Sequence, residues 1–148
     1  MPLDNEKYLL LIDKIKNAFS DSFGKDMIFV KGSKSVTHMG HFELHYKYLP
    51  LGYNIRFTSD LDVFEIDIFD EEGAKNSLYR IEAFDSVTTI DNVTNAVKKL
   101  KCILFKNDFP FYISQNGKLY RKENHQYKRV KDWITELVPQ KADGMKKL

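Results

Sequence analysis

The chain lacks the features that mark disulfide-rich, fibrous and membrane-spanning proteins. Cys102 is its single cysteine, so no disulfide can form within the chain, and this favours a reducing compartment. With only seven glycines and four prolines, collagen-like and low-complexity sequences are excluded. The longest apolar run near the start, residues 9–12, is far short of the roughly 20 residues that cross a bilayer. The first residues do not read as a signal peptide either, so we expect a cytoplasmic protein without membrane contact.

Complete catalytic and cofactor motifs are missing as well. The sequence contains no Gly-rich phosphate loop and no Gly-x-Ser-x-Gly nucleophile turn. We therefore expect no cofactor and assign no catalytic residue. The chain is instead rich in apolar residues (43%, with 14% aromatic), enough to bury a core without disulfides or a structural metal. We predict one α+β domain over residues 1–138, followed by a flexible basic tail over residues 139–148.

Three helices are predicted from apolar residues that recur at three- and four-residue steps. The first starts at Asp4 as N-cap and ends near Gly24, and the second runs from about Asp91 to Phe105. A third helix starts at about Tyr127 and is stopped by Pro139. The apolar stripes of the three helices are Tyr8, Leu11, Ile12, Ile15, Phe19 and Phe23; Val93, Val97, Leu100 and Leu104; and Tyr127, Val130, Ile134 and Leu137, with Trp133 on the flank.

Alternating apolar and polar residues predict strands between these helices. In residues 63–69, for example, Phe64, Ile66 and Ile68 would point inward while Glu65 and Asp67 point to solvent. The other strand-like segments are residues 27–31, 36–38, 42–48, 53–58, 78–84, 109–114 and 119–122, the last two joined by an Asn116-Gly117 hairpin turn. The fold class is therefore α+β. A mostly antiparallel sheet of about six or seven strands carries the N-terminal, middle and C-terminal helices.

Charge is distributed unevenly although the net charge is only +2. Residues 60–91 contain ten acidic and two basic residues, a net of −8, whereas residues 98–148 contain thirteen basic and five acidic residues, a net of +8. One interpretation is that the two regions face each other across the fold. The other is that one of them meets a partner of opposite charge.

The acidic region is the candidate surface for a basic protein partner. Its residues are Asp62, Glu65, Asp67, Asp70, Glu71 and Glu72. Exposed carboxylates of this kind steer basic partners to a surface at high association rates. An N-terminal helix, an acidic β-meander and an amphipathic helix, in that order and at this size, resemble small bacterial toxin-immunity proteins and phage-encoded inhibitors. The resemblance implies a non-enzymatic domain that binds a protein such as a basic toxin or nuclease.

The basic C-terminal third is the alternative binding surface. Its candidate residues are Lys118, Tyr120, Arg121, Lys122, Lys128 and Arg129. Cations interleaved with aromatic rings suit nucleic acid, because cations bind phosphates and rings stack on bases. No known nucleic-acid-binding motif accompanies them.

A metal-dependent enzyme is a third hypothesis. Asp60 and Asp62, one residue apart, could hold a divalent cation. With Gly32 and Ser33 they resemble the Gly-Ser…Asp-x-Asp pattern of nucleotidyltransferases, in which the aspartates bind metal and the Gly-Ser turn faces phosphate. Here the two halves stand more than twice as far apart as that family places them.

His41, Glu43 and His45 share one face of a predicted strand. Adjacent members could share a metal, but the two histidines lie about 13 Å apart on an extended strand, too far for one ion with bonds of about 2 Å. We assign no metal site and interpret these residues as a solvated polar face. Cys102 lies beside lysines on its helix, which could lower its thiol pKa, but no histidine is near it in sequence.

Overall fold

The computed structural model describes residues 2–33, 41–124 and 126–131. In that part of the chain eight strands form one sheet in the order β1-β2-β3-β4-β5-β6-β7-β8, and every neighbouring pair is antiparallel. The strands are Met27–Gly32, Phe42–Tyr48, Tyr53–Asp60, Val63–Phe69, Lys75–Ser77, Phe111–Gln115, Lys118–Glu123 and Gln126–Arg129. The helices are α1 (Pro2–Phe23), α2 (Leu78–Ile81) and α3 (Ile90–Lys106). The predicted α+β class with a mostly antiparallel sheet is confirmed.

Helices α1 and α3 cover one face of the sheet because each has a single apolar stripe. All four residues of the predicted α3 stripe are buried, and so are Ile12, Ile15, Phe19 and Phe23 of α1. Strand β2 buries every second residue against them, beginning with Phe42 and ending with Tyr48. Full burial of one such side chain contributes about 1.5–3 kcal/mol. The core is thus a layer between two helices and the inner face of β2, β3 and β4.

The ends of the helices follow from local capping chemistry. The Thr89 side chain accepts a hydrogen bond from the backbone N–H of Asn92 and starts α3, and Asn107 ends it with a left-handed φ of 50°. Helix α1 ends at Phe23, next to Gly24, as predicted. It begins at Pro2, however, so Asp4 lies within the helix rather than capping it.

The strand predicted over residues 78–84 is wrong. The strand that pairs with β4 is Lys75–Ser77, and the chain then turns into α2. The Ser77 side chain accepts a hydrogen bond from the backbone N–H of Arg80, which is the N-cap contact that starts a helix. The alternation of residues 78–84 is also compatible with one helical turn that buries Leu78.

Tyr127 lies in strand β8 and does not start a helix. It pairs with Lys122 of β7, so the chain continues the sheet after Asn124. Strand β8 and the short strand β5 account for a sheet larger than the six or seven strands predicted. Trp133, Ile134 and Leu137, the tail over residues 139–148, the domain limit at residue 138 and the strand over residues 36–38 lie outside the described residues.

Within the described ranges, no helix has both the length and the apolar character that crossing a membrane requires.

Candidate protein-binding groove

The face of the sheet away from the helices carries a groove of about 500 Å³. We call it the acidic groove. Its lining consists of Arg56, Thr58, Asp60, Val63, Phe64, Glu65, Asp67, Tyr79 and Ser86. The residues Thr58 and Glu65 are direct cross-strand partners, as are Arg56 and Asp67. Strand alternation therefore brings three of the acidic residues of the region to one face.

The tip of the β3–β4 hairpin, next to this groove, has a strained backbone. Leu61 and Asp62 both have positive φ, 53° and 60°, in a two-residue turn between the paired residues Asp60 and Val63. Such turns favour Asn-Gly, and a leucine in the left-handed region is unfavourable. The turn holds Leu61 59% exposed. Strained backbone of this kind clusters at functional sites.

The strained tip is fixed by contacts on the helix side. The hydroxyl of Tyr8 donates to Asp62 Oδ1 at 2.7 Å, and the backbone N–H of Thr88 donates to the Asp62 carbonyl at 2.8 Å. Val87 bridges to Val63, and both are about half exposed. Three exposed apolar side chains thus lie beside the acidic groove, and we call them the apolar rim: Leu61, Val63 and Val87.

Glu65 lies in the groove without a direct ion pair. Its carboxylate has no ion pair or side-chain hydrogen bond with any residue in the described ranges. Glu65 is exposed at the mouth of the groove, yet partial desolvation and then repulsion from Asp67 raise the pKa of its carboxyl, which Arg80, Lys75 and Arg56 offset only in part. A cation placed against the ionised carboxylate would lower this pKa again.

Asp67 is not the exposed carboxylate that its place on the strand predicts. It is buried, and Arg56 Nη2 donates to its Oδ2 at 2.9 Å. The Arg56 guanidinium also lies 5.1 Å from the centre of the Phe69 ring. The cation comes from the neighbouring strand β3 and the ring from β4 itself, so Asp67 is neutralised inside the sheet and only lines the groove.

The turn after β4 is neutralised as well. Asp70 is buried; its Oδ1 accepts backbone N–H groups from Glu72 and Ala74, and its Oδ2 lies 2.7 Å from Lys122 Nζ. Lys122 also pairs with Glu72, whose pKa it lowers through a hydrogen bond. Glu71 remains exposed. The predicted acidic surface therefore divides into a neutralised turn and the groove around Glu65.

Several basic residues of the C-terminal third form ion pairs with carboxylates of this chain. Lys122 pairs with the acidic turn, while Arg121 and Lys128 pair with Glu123. Lys118 and Arg129 remain exposed, and Tyr120 is half-buried on β7. The acidic and basic regions thus face each other at one place, which agrees with the first interpretation of the charge layout.

Glu43 and His45 lie on the open face of β2 as predicted, and His41 directly precedes the strand. The Glu43 carboxylate contacts both imidazole rings: its Oε1 lies 3.1 Å from His45 Nε2, and its Oε2 lies 3.3 Å from His41 Nε2. Burial raises the pKa of Glu43, but the hydrogen bonds from His45 and His41 outweigh it and the net pKa is lowered. No group of three or more His, Cys, Asp or Glu in the described part of the chain is arranged to hold a metal.

Asp60 and Asp62 do not converge on one point. Asp60 lines the open-face groove and lies 3.9 Å from His41 Nδ1, whereas the Asp62 carboxylate accepts the Tyr8 hydroxyl on the helix side. The positive φ angles of the turn break the alternation that placed both on one side. Gly32 ends strand β1, and the Ser33 hydroxyl accepts the Glu43 backbone N–H at 3.0 Å. The nucleotidyltransferase hypothesis requires two carboxylates that bind one metal, and Asp60 and Asp62 are not arranged in that way.

No protein-family model, curated protein or solved structure matches this chain. The functional interpretation therefore rests on the geometry of the groove.

Sequence reasoning missed the residues that give the groove its shape. The alternation of residues 78–84 predicts a strand at Tyr79, yet Tyr79 lines the groove from α2. The alternation of residues 53–58 gives Arg56 no special role, although its partner Asp67 lies directly opposite across the hairpin. An explicit register for the β3–β4 hairpin, fixed by its two-residue turn, would have paired them.

Proposed function

We propose that the chain is a non-enzymatic, immunity- or inhibitor-like protein-binding domain that engages a basic protein through the acidic groove and the apolar rim. The observation that carries the proposal is the Glu65 carboxylate, which lies in the groove without a direct ion pair and with a raised pKa. A lysine or arginine side chain from a partner would supply the missing charge.

The apolar rim supports a protein as the partner. Leu61, Val63 and Val87 are exposed beside the groove, and Tyr79 adds an aromatic side chain that is 41% exposed. Protein interfaces combine apolar and aromatic anchors with charged groups at their edge. A groove that served only a small cation would not need an exposed leucine held in a strained turn.

Nucleic acid receives less support from the same geometry. Three of the six basic candidates, Arg121, Lys122 and Lys128, are already paired with carboxylates of this chain. Each phosphate contact would have to compete with those pairs, which lowers the electrostatic gain on which nucleic-acid binding depends.

A defined basic peptide tests the site before any natural partner is known. We expect hexa-arginine, titrated into the ¹⁵N-labelled protein, to shift the amide signals of Glu65, Thr58 and Ser86 more than those of the turn at Glu71. In Glu65→Gln the groove shifts should fall to the level of the turn. Equal shifts at the two places in the wild type would count against the groove, and hexa-glutamate serves as the matched peptide of opposite charge.

A further inference from the structure

A second groove lies at the other end of the molecule, between the C-terminal ends of α1 and α3 and the end of β2. Its volume is about 330 Å³. Phe23, Tyr48 and Cys102 line it, with Asp26, Lys101 and Lys106 also in its wall. Phe105, on the last turn of α3, borders the groove and is 85% exposed, the highest value among the exposed large hydrophobic residues of the described chain.

We propose that a second copy of this chain covers this groove, each copy inserting its Phe105 into the groove of the other across a two-fold axis. A two-fold interface requires a self-complementary surface, and an exposed aromatic side chain next to a cavity supplies both halves of such a contact. Two aromatic anchors would be buried per dimer, and such anchors dominate interface energies.

The charges around the groove also match a second copy. Asp26 stands on one side of it, and Lys101 and Lys106 stand on α3. When two copies meet about a two-fold axis, the Asp26 of each can pair with the lysines of the other. A surface of one sign would repel its own copy, and this one carries both signs.

The β2–β3 turn carries another exposed apolar side chain near the groove. The backbone N–H of Leu49 donates to the Asp26 carbonyl at 2.8 Å, which places Leu49 at the groove edge, and its side chain is 50% exposed. Leu49 thus adds a second exposed apolar side chain next to a residue of the groove wall.

This inference goes beyond the proposed function because the two surfaces lie at opposite ends of β3. The β2–β3 turn is at one end of that strand and Leu61 is at the other, and eight residues of extended chain span about 25 Å. A dimer through Phe105 would leave both acidic grooves open. The assembly would therefore present two binding sites for a basic partner.

Light scattering coupled to size exclusion, from low-micromolar to near-millimolar protein, tests the proposal. We expect the wild type to pass from monomer to dimer, and Phe105→Glu to weaken dimerisation by about 100-fold or more because each dimer loses two anchors. Phe105 is so exposed that the fold should tolerate this change, which circular dichroism checks. Leu10→Glu, at an exposed position in the first half of α1 and outside both surfaces, is the matched control and should dimerise like the wild type.

The single cysteine gives an independent readout. Cys102 lies one helical turn before Phe105, so a short bismaleimide should link the two copies covalently in the wild type and in Leu10→Glu, but not in Phe105→Glu. A wild type that stays monomeric at every concentration would overturn the proposal. So would a dimer that Phe105→Glu leaves intact. Neither result bears on the acidic groove, which the peptide titration tests separately.

Discussion

Lys122 Nζ lies 2.7 Å from Asp70 Oδ2, across 52 positions of the chain. The contact joins the C-terminal strands to the acidic turn after β4. The backbone connection there is narrow, because β5 and β6 share a single residue pair, Lys75 with Tyr112. Side-chain contacts therefore contribute much of what attaches β6, β7 and β8 to the rest of the sheet.

Replacing Lys122 by methionine should destabilise the protein by about 2 kcal/mol or more, because it leaves the buried Asp70 carboxylate without its cation. The pair raises the pKa of Lys122, so its contribution is fully present at neutral pH and is lost only above the usual lysine range. Urea unfolding followed by circular dichroism measures the change. Lys118→Met, at an exposed position of the same strand, should change stability by less than about 0.5 kcal/mol. Equal effects in the two variants would contradict the role of the pair.

Glu65→Gln should stabilise the isolated protein at neutral pH. Desolvation and Asp67 raise the Glu65 pKa in the folded state, so the ionised carboxylate opposes folding above the raised value. The stabilising effect should shrink as pH falls through the raised pKa and vanish below the usual carboxyl range, where both states carry the proton. Urea unfolding of wild type and variant at several pH values tests this. A variant less stable than the wild type at pH 7 would show that Glu65 has a stabilising partner.

Leu61→Asn should raise stability by about 1 kcal/mol, because asparagine tolerates the left-handed backbone that strains leucine. The same change removes an exposed apolar side chain from the rim, so we expect weaker partner binding by a more stable protein. Thermal unfolding gives the first quantity. A loss of stability would mean that Leu61 packs on the fold and that its strain has no bearing on binding.

Tyr46→Phe should leave stability unchanged or raise it by up to about 1–3 kcal/mol. The hydroxyl is buried without a hydrogen-bond partner among the described residues, and burial raises its pKa. The ring stacks on Phe19 with centroids 4.3 Å apart, a contact that phenylalanine retains. Tyr48→Phe is the comparison on the same strand. A clear loss of stability in Tyr46→Phe alone would indicate a buried water bound to the hydroxyl.

The local patterns of the sequence were sufficient for the elements with strong periodicity. The α3 stripe from Val93 to Leu104 and the alternation of β2 are both found in the structure, because burial on one side imposes a period of 3.6 or 2. The Asn116-Gly117 turn is confirmed too, with φ values of 54° and 73°. In each case the information lies within a few neighbouring residues.

Long-range pairing was not predictable in the same way. The residues near Asp70 in sequence do not indicate that a lysine 52 positions away neutralises it. Those near Tyr127 do not indicate that it pairs with β7 as part of the sheet. The acidic surface predicted from composition was therefore too large. Only the register of β3 against β4 separates Asp67, which has Arg56 opposite, from Glu65, which has Thr58.

Affinity capture from the lysate of the host that encodes the chain is the most direct test of the central claim. Immobilised wild type, Glu65→Lys and Asp13→Lys would be compared by quantitative mass spectrometry, with a nuclease-treated arm; Asp13 is an exposed acid on α1, outside the groove. The account predicts a basic protein that wild type and Asp13→Lys retain with or without nuclease and that Glu65→Lys loses. The same captured proteins on all three baits, or a partner lost on nuclease treatment, would contradict it.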